Sequence, residues 1–224
     1  MRVGTCGWGY FRPKTFGITE YSSVLEAYSR LFDTVEVNST FYRIPRASTA
    51  ERWRKEVPDD FVFTVKMYRD VTHEKRFENV EEETEKILEV AKALRAPIIL
   101  IQTPKSFKQT EENKRKVLGY LSTLPKTFRY ALELRGWTWN DKFAEWIWVV
   151  DPFAEKPVEQ EEHYFRLHGK PPGERMYHYK YTDADLTRLK ELVLSLNTDN
   201  VWVMFNNVWM YEDALRFKGM LDGR

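Results

Sequence analysis

The segment FDTVEVNSTFYRIP, residues 32–45, decides the fold. Val35 and Val37 alternate with Glu36 and Asn38, so a strand here turns two valines to one layer and a carboxylate and an amide to the other. On an exposed strand that pattern is trivial. On a buried one, the polar face needs a reason.

Seven further runs share its character: RVGTC from residue 2, FVFTVKM from 61, PIILIQ from 97, FRYALEL from 128, WIWVVD from 146, HYFRLHG from 163 and NVWVMFNN from 200. All are short and rich in the branched and aromatic residues that suit strands. Helical spacing occupies 22–32, 47–56, 81–95, 110–123, 183–197 and 211–221, and in the third of these Ile87, Val90, Ala91 and Leu94 recur at three and four residues. Ser48 or Thr49, and Thr182 with Asp183, offer side-chain oxygens for helix starts.

Eight strands alternating with helices predict a parallel sheet closed into a (β/α)8 TIM barrel, a compact single domain over 1–224 with some short or missing helices. The connection 138–145 has room for a short helix at best, and 152–162, with Pro152 and Pro157, for almost none. The rival open sheet usually carries a glycine-rich phosphate loop, but Gly4, Gly7 and Gly9 lack its spacing.

Composition narrows the partners. A net charge of +1 argues against a basic coat for nucleic acid while permitting a local basic patch. No apolar run approaches the roughly 20 residues that span a bilayer, and MRVGTCGW has no signal-peptide pattern. A cytoplasmic, soluble protein with no membrane partner is expected. The one cysteine, Cys6, can form no internal disulfide, and the abundance of charge over glutamine is a balance found in heat-adapted proteins.

In such a barrel, side chains alternate between lumen and helix layer, and sites gather at the carboxyl ends of the strands. The alternation turns Glu36, Asn38, Lys66, Gln102, Glu133, Arg135, Asp151, Arg166, His168 and Asn206 inward, at the ends of seven of the eight strands, with Cys6 on the first. Removing an ionised group from water costs several kcal/mol unless partners offset it. A convergent set of charges therefore means either a closed ion-pair network or a ligand site. Rim cations Arg43, Arg69, His73, Lys75 and Arg76 favour an anion, and Trp8, Tyr10, Phe41, Tyr42, Tyr68, Trp137 and Trp139, read as exposed, could stack on a base or sugar.

The blocks GTCGWGY, VEVNSTFYRIP, FVFTVKM with VTHEKRF, LIQTPKSF, LELRGWTW, YFRLHGK and WVMFNN, in this order along nearly the whole chain, resemble the domain-of-unknown-function-72 family, the YecE-like proteins. The resemblance implies a TIM barrel and leaves the biochemistry open. By position it singles out Glu36, Asn38, Phe41, Tyr42, Lys66, His73, Gln102, Glu133, Arg135, Trp137, Arg166, His168, Gly169, Asn206 and Asn207. Gly136 and Thr138 depart from the family pattern, which has His and Ser there.

The leading reading is a phosphate-bearing ligand, either an anionic small molecule or nucleic acid. Glu36, Lys66, Glu133 and His168 are the candidate catalytic groups, and Trp8, Asn38, Tyr42, Arg43, His73, Gln102, Arg135, Trp137, Arg166 and Asn206 the candidate ligand-binding groups. The sequence establishes no cofactor and admits a divalent metal. A divalent metal on Glu36, Glu133, Asp151 and His168, serving a sugar or sugar-phosphate isomerase or hydrolase, is the alternative that Lys66, Arg135 and Arg166 oppose. A non-catalytic barrel with a structural ion-pair network is the third reading, and the oligomeric state stays open.

Overall fold

The computed structural model describes residues 1–169 and 176–223. Its strands are β1 (Arg2–Thr5), β2 (Thr34–Val37), β3 (Val62–Lys66), β4 (Ile98–Thr103), β5 (Arg129–Leu134), β6 (Ile147–Val150), β7 (His163–Leu167) and β8 (Val201–Phe205). They form a closed barrel in chain order, so each of the eight predicted runs is a strand. The helices are α1 (Val24–Ser29), α2 (Ser39–Tyr42), α3 (Ala47–Lys55), α4 (Glu81–Ala93), α5 (Glu111–Thr123), α6 (Asp183–Leu194) and α7 (Met210–Leu221).

The helix starts follow local chemistry. Thr182 and Asp185 form a reciprocal capping box at α6, the Thr182 hydroxyl accepting from Asp185 N–H at 3.2 Å and the Asp185 carboxylate from Thr182 N–H at 3.0 Å. Ser23 caps α1 and Thr110 caps α5 in the ordinary way. At α3 the expectation fails: Arg46 stands at the cap without a side-chain bond, and Ser48 and Thr49 lie inside the first turn. The weak connections are as read, a single turn at Asp141–Phe143 and no helix in 152–162.

The chain packs as two compact units, Met1–Glu36 with Val149–Arg224, and Val37–Trp148. In the first, β1 pairs with β8 from Arg2↔Trp202 to Thr5↔Phe205, and β7 with β8 from His163↔Val201 to Leu167↔Phe205. Tyr28 of α1 fastens this sheet: its hydroxyl accepts from Thr5 N–H at 3.1 Å and donates to the Thr34 carbonyl at 3.0 Å, fully buried. Gly4 lets β1 pass close to Thr34, whose carbonyl oxygen lies 2.4 Å from where a Cβ would stand.

In the second unit, β4 pairs with β3 and, from Ile98↔Arg129 to Thr103↔Leu134, with β5. Helix α4 buries Thr84, Ile87, Val90 and Ala91, the stripe its spacing foretold. Two short elements position the site. The Thr40 hydroxyl, buried in α2, lies 2.6 Å from the Lys66 carbonyl and 2.7 Å from that of Val37, fixing α2 against the end of β3. After β3 the chain makes a π-helical turn at Asp70–Glu74, closed by Lys75 N–H on the Asp70 carbonyl at 2.8 Å. Arg76, Phe77 and Asn79 then take positive φ (49°, 71° and 51°), a conformation that costs energy for residues other than glycine. Burial of Phe77 against Phe107 and Tyr120, at 5.6 and 5.1 Å between ring centroids, holds them there.

Candidate functional site

Within Met1–Glu36 and Val149–Arg224, the alternation on β2 and β7 brings Glu36 and Arg166 together. Arg166 Nε donates to Glu36 Oε2 at 3.0 Å and Nη2 to Oε1 at 2.8 Å, with both side chains at 0% exposure. Such a two-pronged pair is the geometry that lets burial of both charges succeed. Tyr164, two residues before Arg166 and so on the same face, donates its hydroxyl to Glu36 Oε2 at 2.9 Å. Arg166 Nη2 also lies 3.6 Å from the Cys6 thiol and Nη1 3.4 Å from His168 Nε2. His168 Nδ1 in turn stands 3.3 Å from Asp151 Oδ2, which accepts the His168 backbone N–H at 2.8 Å, while Asp151 Oδ1 accepts from Phe153 N–H at 3.0 Å. The result is a continuous polar chain from Tyr164 to Asp151. Since Nε2 faces an arginine N–H, the tautomer that satisfies these two contacts has the proton on Nδ1, toward Asp151.

Within Val37–Trp148 a second cluster forms. Lys66, 8% exposed, holds its ammonium 4.1 Å from the centroid of the Phe41 ring. His73, carried by the π-helical turn, meets the same ring edge-on at 4.9 Å between centroids, and its Nδ1 lies 2.8 Å from the Thr72 hydroxyl. Burial, then the charges of Lys66 and Arg135, push the His73 imidazole down to about 4, with Glu74 opposing. Arg135 Nε donates to Glu133 Oε1 at 2.6 Å, and Glu133 is the register partner of Gln102. The cluster thus sets Lys66 and the Arg135–Glu133 pair beside an imidazole that burial above all keeps uncharged.

The remaining predicted residues are placed as follows. Tyr42 is 70% exposed, and Arg43 beside it is exposed at the end of α2, whose first turn begins after half-buried Asn38. Gln102 is buried, its amide nitrogen 3.4 Å from the Thr103 carbonyl. Trp8 and Asn206 are half-buried, and the Asn206 backbone N–H donates to the Leu167 carbonyl at 2.8 Å. Asn207, buried, donates to the Tyr179 carbonyl at 2.8 Å and to Asp213 at 2.7 Å, a latch between the end of β8 and α7.

Trp137 corrects the expectation of an exposed stacking ring. It is 4% exposed, stacks on Phe107 at 5.7 Å and 12°, and donates its indole N–H to the Phe107 carbonyl at 2.6 Å. Rim cations are also engaged locally, Arg69 with Glu74 and Lys75 with Glu83. Among the described residues no group of three or more His, Cys, Asp or Glu is arranged to hold a metal ion; the oxygens of Glu36 and Asp151 proposed for one accept from Arg166, Tyr164, His168 and Phe153. Sequence reasoning passed over Tyr164 and Thr72. Tyr164 was legible from its i−2 spacing to Arg166, whereas Thr72 gains meaning only from the turn that carries it.

Comparison with known proteins comes to the same fold. A family model described as "Protein of unknown function DUF72" matches residues 2–223. UPF0759 protein YunF of Bacillus subtilis is 28% identical across 92% of this chain and 88% of its own length. UPF0759 protein YecE of Escherichia coli is 30% identical across 59% of this chain and 47% of its own length. The crystal structure of a DUF72 family protein from Thermotoga maritima superposes with a TM-score of 0.72 at 27% identity, covering 99% of this chain and 98% of that one.

Proposed function

We propose, taking as premise that the chain belongs to the DUF72 family, that the cluster of Lys66, Phe41, His73 and Arg135 in the unit Val37–Trp148 binds the phosphate of an anionic ligand. The observation that carries this reading is geometric: the Lys66 ammonium, from the end of β3, and the His73 imidazole both pack on the Phe41 ring, at 4.1 and 4.9 Å from its centroid, and the Arg135 charge, from just beyond β5, also bears on that imidazole. A phosphate placed beside Lys66 and Arg135 gains charge-assisted hydrogen bonds from an ammonium and a guanidinium, the donors that suit its oxygens best. Glu133 pairs with Arg135 and stands ready as a proton-transfer group if the ligand is also cleaved.

Nucleic acid is the ligand class we favour. Tyr42 and Arg43 follow Phe41 directly and are both exposed, giving a ring and a guanidinium to a strand whose phosphate lies on Lys66 and Arg135. Titration calorimetry with sulfate, a nucleoside monophosphate and a short single-stranded oligonucleotide tests the reading. Binding is expected to weaken with added salt and to drop about tenfold in Lys66→Met and in Arg135→Ala. Equal affinity in both variants sinks it.

A second reading holds for the other unit, where a specific observation favours it. Glu36 and Arg166 pair through two hydrogen bonds at zero exposure, and Tyr164 donates a third to the carboxylate. We assign them the role of scaffold, and His168 with Asp151 the outer end of that scaffold.

A further inference from the structure

Anion binding at Lys66 and Arg135 leaves undecided what His73 brings to it. The answer lies in Thr72. Its hydroxyl is fully buried, and the contact with His73 Nδ1 at 2.8 Å is its one side-chain hydrogen bond among the described residues. Two proton arrangements fit that distance. If Nδ1–H donated to the Thr72 oxygen, the hydroxyl proton would point into a place with neither acceptor nor solvent, at a cost comparable to any buried unsatisfied donor. If Thr72 donates to the Nδ1 lone pair, both groups are satisfied.

We infer that Thr72 holds His73 as the Nε2–H tautomer, so that the imidazole meets an oxygen of the bound anion as an uncharged hydrogen-bond donor. Thr72 is then a positioning residue, acting on the ligand only through the ring. The edge-on packing of His73 on Phe41 fixes the ring plane, and Nε2 hydrogen-bonds to no protein group among the described residues, which leaves its N–H for a ligand. The charged groups around it agree. Burial disfavours a positive charge on the ring, Lys66, Arg135 and Arg69 add to that, and Glu74 opposes it. A neutral donor adds a directed contact without adding a positive charge beside Lys66 and Arg135, the role of a positioning hydrogen bond rather than of a salt bridge.

The inference rests on the anion-binding reading, and the test separates the two. Nitrogen-15 NMR of the histidine rings in the free protein near pH 7, assigned with His73→Gln, reads the tautomer without any ligand. Nε2 protonated and Nδ1 bare is expected; Nδ1 protonated, or both, overturns the inference whatever binds. Sulfate, whose charge is constant across the range, is then titrated between about pH 6 and 8. Affinity is expected to stay flat, to fall about tenfold in Thr72→Val and to return in Thr72→Ser. Affinity that falls as the pH rises through the ordinary histidine range overturns the uncharged donor in favour of a cationic anchor. No sulfate or phosphate binding by the unaltered protein overturns the anion site itself, and the ligand half of the inference with it.

Discussion

Glu36 and Arg166, 130 residues apart in sequence, meet in two hydrogen bonds of 3.0 and 2.8 Å at zero exposure. The pair is matched in charge and joined by two hydrogen bonds, the geometry of a strong structural tie. Removing one partner leaves the other charged and buried. Glu36→Gln and Arg166→Met are each expected to cost about 3–5 kcal/mol of stability. The double variant is expected to lose less than the sum, because each change removes the charge the other stranded. Urea unfolding measures all three; additive losses would mean the two groups act independently.

Two histidines make the protein sensitive to acid. His73 is held at about 4 against an ordinary 6.5, and burial lowers His163, whose Nδ1 has no hydrogen-bond partner among the described residues. A folded-state pKa below the unfolded one means that the unfolded chain takes up the proton first. Stability is therefore complete above about 6.5 and declines as the pH falls from there toward 4. The urea midpoint is expected to drop between pH 7.5 and 5, and to drop less in His73→Gln. A midpoint that does not move would contradict the burial of both rings.

Trp137 is a core residue by every contact it makes. Trp137→Ala is expected to lower stability by about 3–5 kcal/mol. Trp137→Phe, which keeps the ring stack and loses the indole donor, is expected to lose less and to leave anion affinity within about twofold of the original. A large loss of affinity in the phenylalanine variant, measured by the same calorimetry, would return this ring to the ligand.

Gly4 allows the approach of β1 to the Thr34 carbonyl, and a methyl group there would meet it at 2.4 Å. Gly4→Ala is expected to cost about 3 kcal/mol, the upper range for an overpacked site. Thermal unfolding decides it, and an unchanged transition would show that the strands can part at no cost.

The strands were legible because their branched and aromatic runs are short and evenly dispersed, and the closed parallel order follows from alternation with helices such as α4. The inward face was legible from period two, which selected Glu36, Lys66, Glu133 and Arg166 alike. Their pairing was not. Whether Glu36 takes Lys66 or an arginine depends on where β7 stands once the barrel is closed, and no local pattern states that. Helix α2 and the π-helical turn at Asp70–Glu74 escaped for a related reason: they are too short to carry a period, and tertiary bonds such as Thr40 to the Lys66 carbonyl hold them. Trp137 misled because a polar neighbourhood, Arg135 to Asn140, conceals a ring whose partner, Phe107, lies 30 residues earlier.

The most direct measurement is a crystal structure of the protein grown or soaked with phosphate. An anion within hydrogen-bond distance of Lys66 Nζ, the Arg135 guanidinium and His73 Nε2 is the predicted result. Phosphate bound elsewhere, with that cluster bare at a concentration where calorimetry shows saturation, would contradict the account.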